Sequence, residues 1–247
     1  KSCKINEIAS IARKKKISVI EDCAHAIGAV TNNKHVGTFG QAGCFSFYPT
    51  KNFTTIEGGM VVTNSKNVAD FIRYARNHGI TKTLASRFSS GKPWDYDVEN
   101  PGYNYRLDEI RASLGINQIK RVKKMNLLRK KAADYYNKNL VDIEGVIVPD
   151  KSISLEHAHH LYVIRISRKY GITRDLLFQK LLKKGIRTSV HYKPLHKFTI
   201  FKKMAKIFDS LPNSMDVYSQ ILSLPIYPSI SKKQQDLVIN NIKKYKV

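Results

Sequence analysis

Residues 44–60 read CFSFYPTKNFTTIEGGM, and this stretch decides how the rest of the chain is understood. A short apolar run leads into Lys51, which is followed by Asn52, Thr54, Thr55 and the flexible pair Gly58-Gly59. Upstream, residues 21–26 read EDCAHA and carry Asp22 and His25. A lysine at a strand-to-loop junction is rigidly placed. It can act as a nucleophile once part of it is deprotonated. Asp22 is expected at the end of a buried apolar strand, where a carboxylate needs a partner. A protonated pyridine nitrogen is one such partner; a helix cap or structural carboxylate is the plainer reading. His25 suits a polar ring contact or an ordinary loop position. Ser46 suits a phosphate donor or a strand serine facing backbone. Nucleophilic amine, buried carboxylate and polar ring contact together are what a pyridoxal phosphate (PLP) site requires.

Working outward, the elements around this stretch alternate helix and strand. Residues 4–16 read as a helix with Ile5, Ile8, Ile11 and Ala12 on one side. Residues 17–20, 43–47 and 60–63 read as short strands of a sheet buried on both faces, so an α/β class is expected. Asn32-Asn33 marks a hairpin, residues 66–78 a helix, and residues 79–104 a long irregular loop of the kind that usually has a function. Residues 107–139 carry a helical apolar stripe, as one helix or as two with a break near Lys123. A first domain is expected over residues 1–139. A smaller α+β domain is expected over 140–247. Its elements are a strand at 160–166 (HLYVIRI), a helix at 173–184 between a Thr173 cap and a Gly185 stop, a strand at 186–190, an extended piece at 223–227 and a closing helix at 231–245.

The bulk numbers fit a folded chain. Of 247 residues, 42% are apolar and 25% charged, which is ordinary globular composition. No apolar run is long enough for a membrane span, and no apolar segment follows the first lysines as a signal peptide requires. Cys3, Cys23 and Cys44 form no ligand cluster or disulfide framework, so a reducing cytoplasm is expected. The formal charge is +24, from 43 Lys plus Arg against 19 Asp plus Glu. The cations are spread in short lysine runs, which reads as a solvated face. An anionic substrate or acidic partner is a second reading and nucleic acid a third. His157, His159 and His160 lack matched acidic or cysteine ligands, so no metal is expected.

Taken in order, EDCAHAIGA, FSFYPTKN, EGGMVVT, PGYNYRLDEIRASLGINQIK, HYKPLH and LSLPIYP resemble the DegT/DnrJ/EryC1/StrS family of sugar aminotransferases. The resemblance runs through essentially the whole chain. It implies PLP-dependent transferase fold type I, the aspartate aminotransferase-like fold. The chain would hold part of the large domain, with a mixed, mostly parallel sheet, and the C-terminal small domain. It also implies Lys51 as the Schiff-base lysine, Asp22 facing the pyridine nitrogen, His25 near the ring oxygen and Ser46 at the phosphate. Asn104 would reach the cofactor of a second subunit, so a homodimer is implied. Tyr48, Arg106, His191 and Tyr192 fall near the substrate. The expected reaction moves an amino group from glutamate, or glutamine, to a keto group of a nucleotide-activated deoxysugar. A 4-keto-6-deoxyhexose is expected, because residues 93–109 are closest to perosamine-type enzymes. Related members that dehydrate the sugar carry histidine where Lys51 stands. Family members also have a further N-terminal segment, with the first strands and a phosphate-cradling turn. The alternative is therefore an inactive chain that only pairs with a full-length homologue or a separate N-terminal chain.

Overall fold

The computed structural model describes residues 2–149, 157–204 and 211–247. The chain divides into two compact units, Lys1–Lys123 with Leu155–Ala158, and Lys124–Ser154 with His159–Val247. Among the described residues no helix is long and apolar enough to cross a membrane.

The first unit runs α1 (Ile5–Lys14), β1 (Ile20–Asp22), β2 (Val30–Thr31), β3 (Lys34–His35), β4 (Ala42–Ser46), β5 (Gly59–Val62), α2 (Lys66–Ala75), α3 (Leu84–Ser89) and α4 (Glu109–Ile119). Its sheet has the order β1-β4-β5. β1 pairs with β4 in parallel, with Asp22 opposite Cys44, and β4 pairs antiparallel with β5, with Ser46 opposite Gly59. The sheet is mixed, as expected, but it is not buried on both faces. β1 alternates exposed, buried, exposed, and Ile20 is 69% exposed. The hairpin β2–β3 turns at Asn32 and Asn33, both with positive φ, the backbone that a two-residue hairpin turn demands and that asparagine tolerates. The loop expected at 79–104 is more ordered than its Gly/Pro content suggests. It contains α3, and Ile80 bridges Val98. The two sides of this arm meet closely at Gly79, where any Cβ would lie 2.0 Å from the Asn100 carbonyl oxygen.

The second unit contains most of α5 (Val122–Leu140), then β6 (Val146–Ile147), β7 (Tyr162–Ile166), α6 (Arg174–Leu182), α7 (Thr199–Met204), α8 (Pro212–Gln220), β8 (Ile221–Leu224) and α9 (Lys232–Lys244). The expected division at residue 139 falls instead near Lys123, because α5 gives Ala133, Tyr136 and Leu140 to the second core. The long helix breaks between Ile119 and Val122. An antiparallel sheet β6-β7-β8 packs Tyr162, Ile164, Ile166, Leu222 and Leu224 against Leu177 and Leu181 of α6 and Val238, Ile239 and Ile242 of α9. The strand β7 buries alternate residues, the period that a one-sided sheet dictates. Thr173 caps α6 and Ser231 closes a capping box on α9, which satisfies orphan N–H groups at each start. The strand expected at 186–190 is reduced to a single bridge, Ser189 to Ser223.

Candidate active site

Lys51 is held by a loop that closes on itself. β4 ends at Ser46, and Phe47 packs edge-to-face on Phe53 with ring centroids 4.5 Å apart. Phe47 then anchors the loop by its backbone. Its N–H donates to the Gly58 carbonyl at 2.9 Å, and its carbonyl accepts from Thr55 N–H at 3.0 Å and Thr54 Oγ1 at 2.9 Å. At the tip, Lys51 N–H donates to the Tyr48 carbonyl at 3.0 Å, with Pro49 at the turn position whose φ it presets. Asn52 and Thr55 are buried to 2% and 1% exposure. The Asn52 amide donates to the Ala158 carbonyl at 2.6 Å, and Thr55 Oγ1 to the Glu57 carbonyl at 2.8 Å. Gly58 is required here, since its φ is +154° and a Cβ would stand 2.4 Å from Thr55 Oγ1.

The electrostatics tie Lys51 to Asp22. Partial burial lowers the Lys51 ammonium below its ordinary pKa, and the Asp22 charge opposes part of that shift. A lowered pKa enlarges the neutral, nucleophilic fraction of the amine. Asp22 itself is exposed, with Oδ1 accepting Ala24 N–H at 3.0 Å.

The expectation of a buried carboxylate at Asp22 is thus corrected by one residue. Strand alternation puts Asp22 on the open face with Ile20 and turns Glu21 inward. Glu21 is 8% exposed and accepts three backbone N–H bonds, from Gly37 at 2.6 Å and from Phe39 and Gly40 at 2.7 Å each. It stitches the 37–40 loop to β1. The spaced glycines of that loop were the available signal, since they free N–H groups to converge.

The remaining candidates are distributed over both units. His25 is exposed in the loop after β1, and Ser46 is half-buried at the end of β4, with Tyr48 N–H 3.5 Å from its hydroxyl. Tyr48 is 48% exposed beside the Lys51 turn. Asn104 and Arg106 lie on the exposed arm and bond each other, Arg106 Nε to Asn104 Oδ1 at 3.1 Å. Backbone bonds from His78 to Tyr103 and from Tyr105 to Arg76 pin this arm to the end of α2. His191 and Tyr192 belong to the second unit, with their rings edge-to-face at 4.7 Å. A cavity of about 30 Å³ in the first unit is lined by Phe71, Tyr74, Gly79 and Pro101 among others. None of the expected site residues lines it, and it has room for little more than a water.

The donor set around Lys51 fits PLP: an amine, a carboxylate across a parallel strand pair, and a hydroxyl at the end of the neighbouring strand. Comparison with known proteins agrees with this chemistry. The spore coat polysaccharide biosynthesis protein SpsC of Bacillus subtilis is 37% identical over 98% of this chain and 63% of its own length. The UDP-4-amino-4,6-dideoxy-N-acetyl-beta-L-altrosamine transaminase of Campylobacter jejuni is 33% identical over 96% of this chain and 61% of its own. The Streptococcus pneumoniae protein Spr1654, solved in its PMP form, superposes with a TM-score of 0.88 at 26% identity, covering 99% of this chain and 66% of that one. The chain therefore spans about three fifths of the length of the curated relatives it matches. The model of the DegT/DnrJ/EryC1/StrS aminotransferase family matches residues 1–243, and the chain belongs to that family.

Proposed function

We propose that this chain carries the lysine-bearing core of a PLP-dependent aminotransferase that transfers an amino group from glutamate, or glutamine, to the keto group of a nucleotide-activated deoxysugar. The observation that carries the reading is the placement of Lys51: a rigid loop tip, a lowered amine pKa and electrostatic coupling to Asp22. When bound, PLP supplies an electrophilic carbonyl carbon and a ring that takes up the electron pair left by a departing proton.

The residues of the chain do the rest. Lys51 anchors the cofactor and, once released, moves a proton between donor carbon and cofactor as base and then acid. Asp22 holds the ring nitrogen in its protonated form. Ser46 donates to the phosphate and His25 to the ring oxygen. Asn104, on an exposed arm, serves the site of a second subunit, which makes the working form a homodimer. Tyr48, Arg106, His191 and Tyr192 contact substrate. A 4-keto-6-deoxyhexose is the favoured acceptor, supported by the relative whose name states a 4-amino-4,6-dideoxy sugar on UDP.

A second reading is favoured by the open sheet. Ile17 and Ile20 are 64% and 69% exposed, and Val61, on the same face of the sheet as Ile20, is 37% exposed, apolar surface that normally seeks a cover. In that reading the chain is silent alone and acts only when a longer homologue or a separate chain covers this face.

Purified chain with added PLP, reduced with borohydride and mapped by mass spectrometry, separates the two. A covalent adduct on Lys51, lost in Lys51→Ala, supports a working cofactor site. No adduct with the chain still folded sinks the first reading for the chain alone and favours the second.

A further inference from the structure

Ser223 lies on β8 and is 5% exposed. Its backbone is committed to the segment before His191: its N–H donates to the Ser189 carbonyl at 2.8 Å, and its carbonyl accepts Ser189 N–H at 3.1 Å. Side chains two apart on an extended segment share a face. His191 therefore returns to the face of Ser189, and its Nδ1 comes within 2.7 Å of Ser223 Oγ. Among the described residues Nδ1 is the only hydrogen-bond partner of that hydroxyl. A buried hydroxyl proton needs an acceptor, and an imidazole nitrogen accepts only when it carries no proton. The edge-to-face contact with Tyr192 restrains the ring further.

We propose that Ser223 is a positioning residue that donates to His191 Nδ1, holds the ring proton on Nε2, and so presents a neutral N–H donor to a keto or hydroxyl oxygen of the sugar rather than a cation to its phosphates. Burial acts in the same sense, pushing His191 below the ordinary imidazole range with no charged neighbour contributing. The identity of the ligand rests on the function proposed above; the arrangement of Ser223 and His191 does not.

The test is nitrogen-15 NMR of histidine-labelled chain, with the His191 signals assigned by their loss in His191→Gln. The expected spectrum shows an unprotonated Nδ1 and a protonated Nε2, with a titration midpoint below 6.5. Ser223→Ala should mix the two tautomers and raise the midpoint, because the bond it removes favours the neutral ring. Ser223→Thr should restore both. A wild-type ring protonated on Nδ1, or a Ser223→Ala variant with unchanged tautomer and midpoint, overturns the proposal. If Ser223→Ala does not fold, the wild-type and Ser223→Thr spectra decide it, since protonation on Nδ1 in either is incompatible with a serine donor. In the PLP-loaded enzyme, Ser223→Ala should raise KM for the keto sugar about three- to tenfold, the worth of one hydrogen bond, with a smaller change in kcat. Absence of turnover in wild type would count against the proposed function and leave the tautomer result standing as the test of Ser223.

Discussion

Replacing Glu21 by glutamine keeps the side-chain shape and removes the charge, which makes it a direct probe of how β1 is held. The carboxylate accepts Phe39 and Gly40 N–H on one oxygen and Gly37 N–H on the other, all at 2.6–2.7 Å. In Glu21→Gln the amide oxygen can keep Phe39 and Gly40, and the amide NH2 then faces Gly37 N–H, donor against donor. The two bonds that survive change from charge-assisted to neutral, a loss of roughly 1 kcal/mol each. The third is lost and leaves a buried N–H unsatisfied, at roughly 1–3 kcal/mol. The sum is about 3–5 kcal/mol, a large share of the ~5–15 kcal/mol that stabilises a domain. Equilibrium urea unfolding should show it as a midpoint lowered by ~1 M or more. Hydrogen exchange should accelerate at the amides of 37, 39 and 40. Asp22→Asn, on the exposed face, should cost under ~1 kcal/mol by the same assay. Equal costs for the two variants, or unchanged protection at those three amides, would refute the assignment of Glu21 as the structural carboxylate.

Three further outcomes are expected. Asp22→Asn removes the charge that raises the Lys51 pKa, so Lys51 should acylate faster than in wild type at the same pH, read by mass spectrometry of the Lys51 peptide; an unchanged or slower rate would break the coupling. Arg129 is 7% exposed, and its Nη1 donates to the carbonyls of His159, His160 and Ile226 at 3.4, 3.3 and 2.9 Å. Burial pushes its pKa down to about 10, a penalty of roughly 3 kcal/mol. Nη1 has two N–H groups to share among the three carbonyls, so the gain is that of about two charge-assisted bonds at roughly 1.5–3 kcal/mol each. This equals or outweighs the penalty, so Arg129→Met, which strips the carbonyls of their donor, should destabilise the second unit by about 1–3 kcal/mol in a denaturant titration. Burial, the largest cause, and the neighbouring Glu21 and Asp22 push the Cys23 thiol up to about 12. At pH 8 its thiolate fraction is on the order of 1 in 10⁴, so native chain should alkylate at exposed Cys3 and spare Cys23, and unfolded chain should label both.

What could be read from the sequence follows from the range of the interaction that wrote it. The caps at Thr173 and Ser231, the turn at Asn32-Asn33 and the left-handed stop at Gly185 are settled within a few residues, so residue type alone announces them. The Lys51 turn is legible for the same reason. Contacts within each unit that join distant positions are different: Asn52 to Ala158, 106 residues apart, in the first unit, and Arg129 to Ile226, 97 apart, in the second. Neither leaves a periodic trace. Strand β1 has only three residues, too few for alternation to declare which of Glu21 and Asp22 faces inward. The opposite facing of these two neighbours is informative about the chemistry. In a strand, adjacent carboxylates point to opposite faces, so Glu21 and Asp22 divide two tasks that one residue could not perform. Glu21, consumed by three N–H groups, fixes the strand. Asp22, which among the described residues accepts the Ala24 N–H on one oxygen, keeps its charge available on the face where it acts on Lys51. Glu21, with both oxygens taken by backbone N–H groups, could not serve a ring nitrogen as well. Of the two adjacent carboxylates, Asp22 is the one whose charge is left for its proposed role.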